Sequence, residues 1–97
     1  MATYVSLINW TDQGIMNFRD TTQRAQEFTK LVEGSGGAVR ELLWTVGQYD
    51  IICITDFPDD ETAVAALLQV GSAGSVRGTT LRAFDADAMG SIIRRAS

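Results

Sequence analysis

VRELLWTVGQYDIICITDF, residues Val39 to Phe57, sets two apolar runs on either side of one glycine turn. Val39–Val46 and Tyr49–Phe57 are rich in β-branched and aromatic side chains and short enough for strands. Gly47-Gln48 between them has the glycine-first order of a two-residue type II′ hairpin. Such a turn fixes the pairing outward one residue at a time, setting Val46 opposite Tyr49, Thr45 opposite Asp50, Trp44 opposite Ile51, Leu43 opposite Ile52 and Leu42 opposite Cys53. Alternation then sends Leu42, Trp44, Val46, Tyr49, Ile51 and Cys53 to one face and Leu43, Ile52 and Ile54 to the other. Both faces are apolar near the middle, whereas an antiparallel sheet with one wet face alternates cleanly.

Working outward, Thr3–Trp10 (TYVSLINW) reads as a strand and Thr11-Asp12-Gln13-Gly14 breaks the pattern. Asp20-Thr21-Thr22-Gln23 offers an N-cap oxygen with a side chain three residues on that can reach back, predicting a helix start. Ala25, Phe28, Leu31 and Val32 recur at helical spacing, with Gln23, Arg24, Glu27 and Lys30 on the wet side, until Gly34-Ser35-Gly36-Gly37. Beyond Pro58, Asp59-Asp60-Glu61 put negative charge at a helix start, and Ala63, Val64, Leu67, Leu68 and Val70 supply an apolar side up to Gly71. Val76–Phe84 reads as the last strand, and Asp85–Arg95 as a short helix with Met89, Ile92 and Ile93 inward. The order β-α-β-β-α-β plus a helical tail predicts an α+β, ferredoxin-like single domain over residues 1–97, with a four-stranded antiparallel sheet and both helices on one face. A second apolar sheet face then calls for another subunit, giving a homodimer or higher homo-oligomer with Leu42, Trp44, Val46, Tyr49 and Ile51 as candidate interface residues. At about 25 cal/mol per Å², leaving Trp44, Leu42 and Ile51 in water would forgo several kcal/mol.

Composition narrows the chemistry. Eight basic against twelve acidic residues give a net charge of −4, without the basic footprint of a nucleic-acid binder. Met1–Trp10 lacks a basic start, and no apolar stretch approaches the about 18 residues of a membrane span, so the chain is expected in the cytoplasm, away from membranes. One cysteine, Cys53, cannot form an internal disulfide, and it sits in an apolar run where packing explains it. The chain has no histidine, which removes the commonest general base and metal ligand and argues against haem and zinc, and no cofactor is expected. Gly34–Gly37 and Gly71–Ser75 follow helices and lead into strands, the reverse of a phosphate loop. The three acids after Pro58 read as helix capping, and Arg94-Arg95 as a favourable helix C-terminus.

Tyr49 and Asp50 are neighbours on one strand, so their side chains point to opposite faces and form no catalytic pair. Asp50 can bond Thr45 or nearby backbone N–H groups. A candidate ligand-binding set of aromatic and polar-tipped residues comprises Asn9, Trp10, Trp44, Tyr49, Asp50 and Arg82, a composition that fits an apolar pocket with a few polar anchors or an interface equally well. No catalytic residue and no metal ligand is assigned.

Thr11-Asp12-Gln13-Gly14, Arg24, Gly47-Gln48-Tyr49-Asp50, Pro58-Asp59-Asp60-Glu61, Gly74, Val76-Arg77 and Leu81-Arg82-Ala83-Phe84, in that order and spacing, resemble the GYD domain family, named for a Gly-Tyr-Asp motif. Here Gln48 stands between the glycine and the tyrosine. The resemblance implies a dimeric α+β barrel, in which two ferredoxin-like units join sheet to sheet. That broad group includes cofactor-free monooxygenases, haem-degrading enzymes and ligand-sensing or oligomerising domains, so it selects no single activity. The functional expectation is an oligomeric small-molecule-binding or interaction domain. The alternative is a cofactor-free oxygenase or isomerase acting on a small aromatic substrate, with an acid such as Asp50 moving a proton.

Overall fold

The computed structural model describes residues 1–97. Strands β1 (Ala2–Trp10), β2 (Ala38–Trp44), β3 (Ile51–Phe57) and β4 (Val76–Ala83) form one antiparallel sheet in the order β2-β3-β1-β4. Helix α2 (Thr21–Gly34) joins β1 to β2, and α3 (Asp60–Ser72) joins β3 to β4. This is the expected ferredoxin-like arrangement.

Trp44 pairs with Ile51, Leu43 with Ile52 and Leu42 with Cys53, the register expected of the hairpin. A bulge at Arg40 interrupts it lower down, between Val39 and Glu41. The connection itself differs from the expected two-residue turn. Thr45 N–H still donates to the Asp50 carbonyl at 2.8 Å, but Val46 and Tyr49 exchange no backbone hydrogen bond, and Gly47 has φ 139°. The connection is therefore the four-residue loop Val46–Tyr49, whose contacts run sideways to β1. Asn9 Nδ2 donates to the Gln48 carbonyl at 2.8 Å, and Asp50 N–H donates to the Ile8 carbonyl at 2.9 Å.

Helix α2 starts where expected, although Asp20 makes no side-chain cap. A short helix, α1 (Asp12–Met16), and a 3₁₀ turn (Phe18–Asp20) lead into it and replace that function. The break at Thr11–Gly14 is the start of α1. Thr11 Oγ1 caps the Gly14 N–H at 3.1 Å and donates to the Gly74 carbonyl at 2.6 Å, while Thr11 N–H donates to the Ser75 carbonyl at 3.1 Å. A Cβ on Gly14 would lie 1.9 Å from the Ser75 carbonyl oxygen, so only glycine lets α1 sit against the start of β4. Asp59 caps α3 through the Thr62 N–H at 2.7 Å, as its place after Pro58 predicts.

Along β1, Tyr4 and Ser6 point under the helices and are buried, and Val5 and Leu7 point to the other face. Beneath α2 and α3 the core is built from Tyr4, Val32, Phe57, Ala63 and Ala66, with Phe28 and Leu31 packed on it. Val64 and Leu68, read as part of the apolar side of α3, are exposed, because the stripe that faces the sheet is Ala63, Ala66, Leu67 and Val70. The open face carries Val5, Leu7, Leu43, Ile52, Ile54 and Leu81, joined by the pairs Leu43–Ile52, Ile52–Leu7, Ile54–Val5 and Val5–Leu81.

The last helix, α4 (Ala86–Ala96), is capped by Asp85 on the Ala88 N–H at 2.8 Å and buries none of its residues. Met89, Ile92 and Ile93 were expected inward but are exposed, since α4 leaves the sheet past its edge strand. The radius of gyration is accordingly 14.5 Å, against about 12.5 Å for a compact domain of this length. No helix is long and apolar enough to cross a membrane.

Candidate functional site

The two helices close tightly over one end of the sheet and stand off from it at the other. At the open end a cavity of about 100 Å³ lies between sheet and helices. Its floor is Ser6, Ile8 and Trp10 of β1, Leu42 of β2, Ile51 and Cys53 of β3, and Val76 of β4. Its roof is Thr21, Arg24, Ala25 and Phe28 of α2 with Leu67 and Val70 of α3. Thr21, Arg24, Ala25 and Phe28 follow the i, i+3, i+4, i+7 spacing of one helix face. Arg24 is thus a charged residue on the inward stripe, not on the wet side where its polarity placed it.

Two donors in this lining have no protein acceptor although their atoms are buried: Trp10 Nε1 and Arg24 Nη2. Arg24 Nη1 donates to the Asn17 carbonyl at 3.1 Å, which anchors the guanidinium to the turn before α2. The ion pairs of the molecule are Arg40–Asp56 and Arg82–Asp60, so Arg24 has no carboxylate partner. A buried guanidinium edge and a buried indole N–H without acceptors are costly, and the cost falls when a bound group accepts from them. Cys53 also lines the cavity, with burial pushing its thiol up to about 11. The thiol is therefore protonated at neutral pH and is no nucleophile.

The six candidate residues separate in space. Asn9, Trp10, Trp44, Tyr49 and Asp50 share the open end, whereas Arg82 pairs with Tyr4 at the far end of β1, about 20 Å away at strand rise. There the Arg82 guanidinium lies 4.6 Å from the Phe84 ring centroid and 3.8 Å from Asp60. Of the six, only Trp10 lines the cavity. Trp44 Nε1 donates to Thr21 Oγ1 at 3.0 Å, so it braces the roof from outside. Asp50 is a brace as well, its Oδ2 accepting the Trp10 N–H at 2.9 Å. Together with the Asp50 N–H to Ile8, that bond continues the β1–β3 ladder past its last side-chain pair and fixes the backbone that carries the Trp10 indole. Among the residues expected at an oligomer interface, Leu42 and Ile51 lie on the helix-covered face, where Ile51 is 8% exposed. Trp44 belongs to that face too, and Val46 and Tyr49 sit in the loop.

The rim at the opposite end is fully engaged. The Tyr4 hydroxyl donates to Asp60, and burial first and this carboxylate second raise the phenol above its ordinary value. Asp56 accepts from Thr3 Oγ1 and from Arg40 Nε, each at 2.6 Å. Burial pushes its carboxyl up, but these two donors outweigh burial and bring it below the usual range.

No curated protein matches the chain. The family model described as GYD domain matches residues 4–93, nearly the whole sequence and every residue that lines the cavity, and the chain belongs to the GYD domain family.

Proposed function

We propose that this chain is a small-molecule-binding domain that works as a homo-oligomer, with the ligand held between sheet and helices at the Trp10 end. The observation that carries the reading is the pair of buried donors without protein acceptors in an otherwise apolar cavity. Binding sites take this form, mostly apolar walls with a few fixed polar groups. Binding is favoured over catalysis because the lining contains no carboxylate and no histidine, its thiol is protonated, and the Asp50 carboxylate is engaged by the Trp10 N–H.

The oligomer rests on the open face. Its apolar patch of Val5, Leu7, Leu43, Ile52, Ile54 and Leu81 spans all four strands. A two-fold copy would lay that patch against itself, a self-complementary contact needing no second surface. The unpacked stripe of α4 adds Met89, Ile92 and Ile93 to the apolar surface that a copy could cover. Native mass spectrometry of protein purified without added ligands tests both parts. A dimer or larger species that releases a small molecule on denaturation is expected. A monomer would overturn the oligomer, and a ligand retained by a variant with Trp10→Phe and Arg24→Met would overturn the site.

A further inference from the structure

Resting on the binding reading above, we infer that the ligand is a compact aliphatic carboxylate, its anionic head on Arg24 Nη2 and Trp10 Nε1 and its short chain against Phe28, Leu67 and Val70. Three observations converge on this chemistry. First, the two orphaned atoms are both donors, so the ligand presents acceptors at that point. Second, one of them belongs to a guanidinium that is half-buried and lacks any carboxylate partner in its own chain. A neutral acceptor would satisfy the hydrogen bonds but leave the charge uncompensated, whereas a carboxylate does both, with charge-assisted bonds roughly twice as strong as neutral ones. Third, the cavity offers one cation, and its remaining walls are largely apolar. A phosphate, with more charge and more oxygens to satisfy, would be left with unmet acceptors there.

Size limits the chain. A volume of about 100 Å³ favours a ligand of a few carbons over a long acyl group. The hydrogen bond from Arg24 Nη1 to Asn17 matters here, because it anchors the guanidinium whose Nη2 is buried without an acceptor and so lowers the ordering cost of binding.

The test is calorimetric titration of the full chain with isobutyrate, isobutyramide, isobutanol and inorganic phosphate at constant ionic strength. Wild type, Arg24→Met, Arg24→Lys and Trp10→Phe are compared, with circular dichroism confirming that each variant is folded. Isobutyrate is expected to bind wild type on the order of tenfold or more tighter than the amide and the alcohol, the margin of a charge-assisted bond over a neutral one. Arg24→Met should erase that preference while leaving weak binding of the alcohol, and Trp10→Phe should reduce it. Arg24→Lys keeps the charge on a shape without the planar fork and should recover part of it. Equal binding of acid, amide and alcohol would overturn the carboxylate and leave the cavity a binding site for neutral molecules. Phosphate binding that competes with isobutyrate would overturn the carboxylate in favour of a general anion site. Binding by none of the four would overturn both the carboxylate and the binding reading on which it rests.

Discussion

Tyr4 and Trp10 lie on the same strand and the same face of the sheet, yet their surroundings differ in kind. Around Tyr4 the helices close. Its ring meets Phe57 edge-on with centroids 5.9 Å apart, its hydroxyl has Asp60, and Val32, Phe57 and Ala63 beside it are at most 1% exposed. Around Trp10 the same two helices stand off from a cavity, and two of its lining residues keep buried donors without acceptors, the Trp10 indole N–H and an edge of the Arg24 guanidinium. The difference lies in what the helix stripes present. Over Tyr4, α2 and α3 offer Val32, Ala63 and Ala66, small or branched side chains that let the layers meet. Over Trp10, α2 offers Thr21 and Arg24 in the same stripe positions, and a guanidinium cannot be packed away as a hydrocarbon can. One end of the layer thus supplies stability, and the other keeps unsatisfied polarity that a ligand can use.

The contrast can be broken most forcefully at the closed end. Phe57→Ala removes a ring from the best-packed site and is expected to cost about 3–5 kcal/mol, read as a lower midpoint in urea unfolding. A loss below about 1 kcal/mol would mean that the closed end is not the stabilising one. Asp50→Ala comes next. It leaves the Trp10 N–H without its carboxylate and should cost about 1–3 kcal/mol, while Asp50→Asn, which keeps an acceptor, should cost less. Equal losses from both would argue that the carboxylate's charge, rather than its hydrogen bond, matters at this corner.

The smallest effect concerns the Arg40–Asp56 pair at the closed end. The Asp56 carboxyl lies below its ordinary value in the folded chain, so the stability it contributes is present above the unfolded value and is lost as pH falls through the folded one. Arg40 is half exposed, so Arg40→Met should cost about 1 kcal/mol or less at neutral pH. Because Asp56 then titrates nearer its ordinary value, its acid loss should be smaller and complete at a higher pH in the variant, and the two curves should converge once Asp56 is protonated in both. Parallel curves throughout the acid range would show that the pair does not act through Asp56.

How much of this was readable beforehand depends on which contacts each residue answers to. The hairpin register from Trp44–Ile51 to Leu42–Cys53 was legible because it follows from local spacing alone. The loop was not, since Asn9 and Ile8 of β1 draw Gln48 and Asp50 sideways, a contact between residues about 40 positions apart in the chain. For Arg24, polarity points to solvent while the structure puts it among the cavity-lining residues. Its position between Thr21 and Phe28 on the stripe was the signal that could have found it, and long charged side chains follow such stripes with their stems. Asp50 was legible as a backbone acceptor, though its partner, the Trp10 N–H, was not. For α4 the periodicity of Met89, Ile92 and Ile93 was clear, but periodicity says that a helix has an apolar side and not what covers it.

The two tryptophans make the most direct test available within one molecule. Trp44 Nε1 is already bonded to Thr21, whereas Trp10 Nε1 is free of any protein acceptor, so their indole N–H signals in a ¹H–¹⁵N spectrum report the two conditions side by side. On titration with isobutyrate the Trp10 signal is predicted to move downfield and saturate, and the Trp44 signal to stay nearly fixed, with the Trp10 response much weakened in Arg24→Met. A Trp10 signal that does not respond, or two signals that drift together without saturating, would contradict the claim that the open end of this sheet is a carboxylate-binding site.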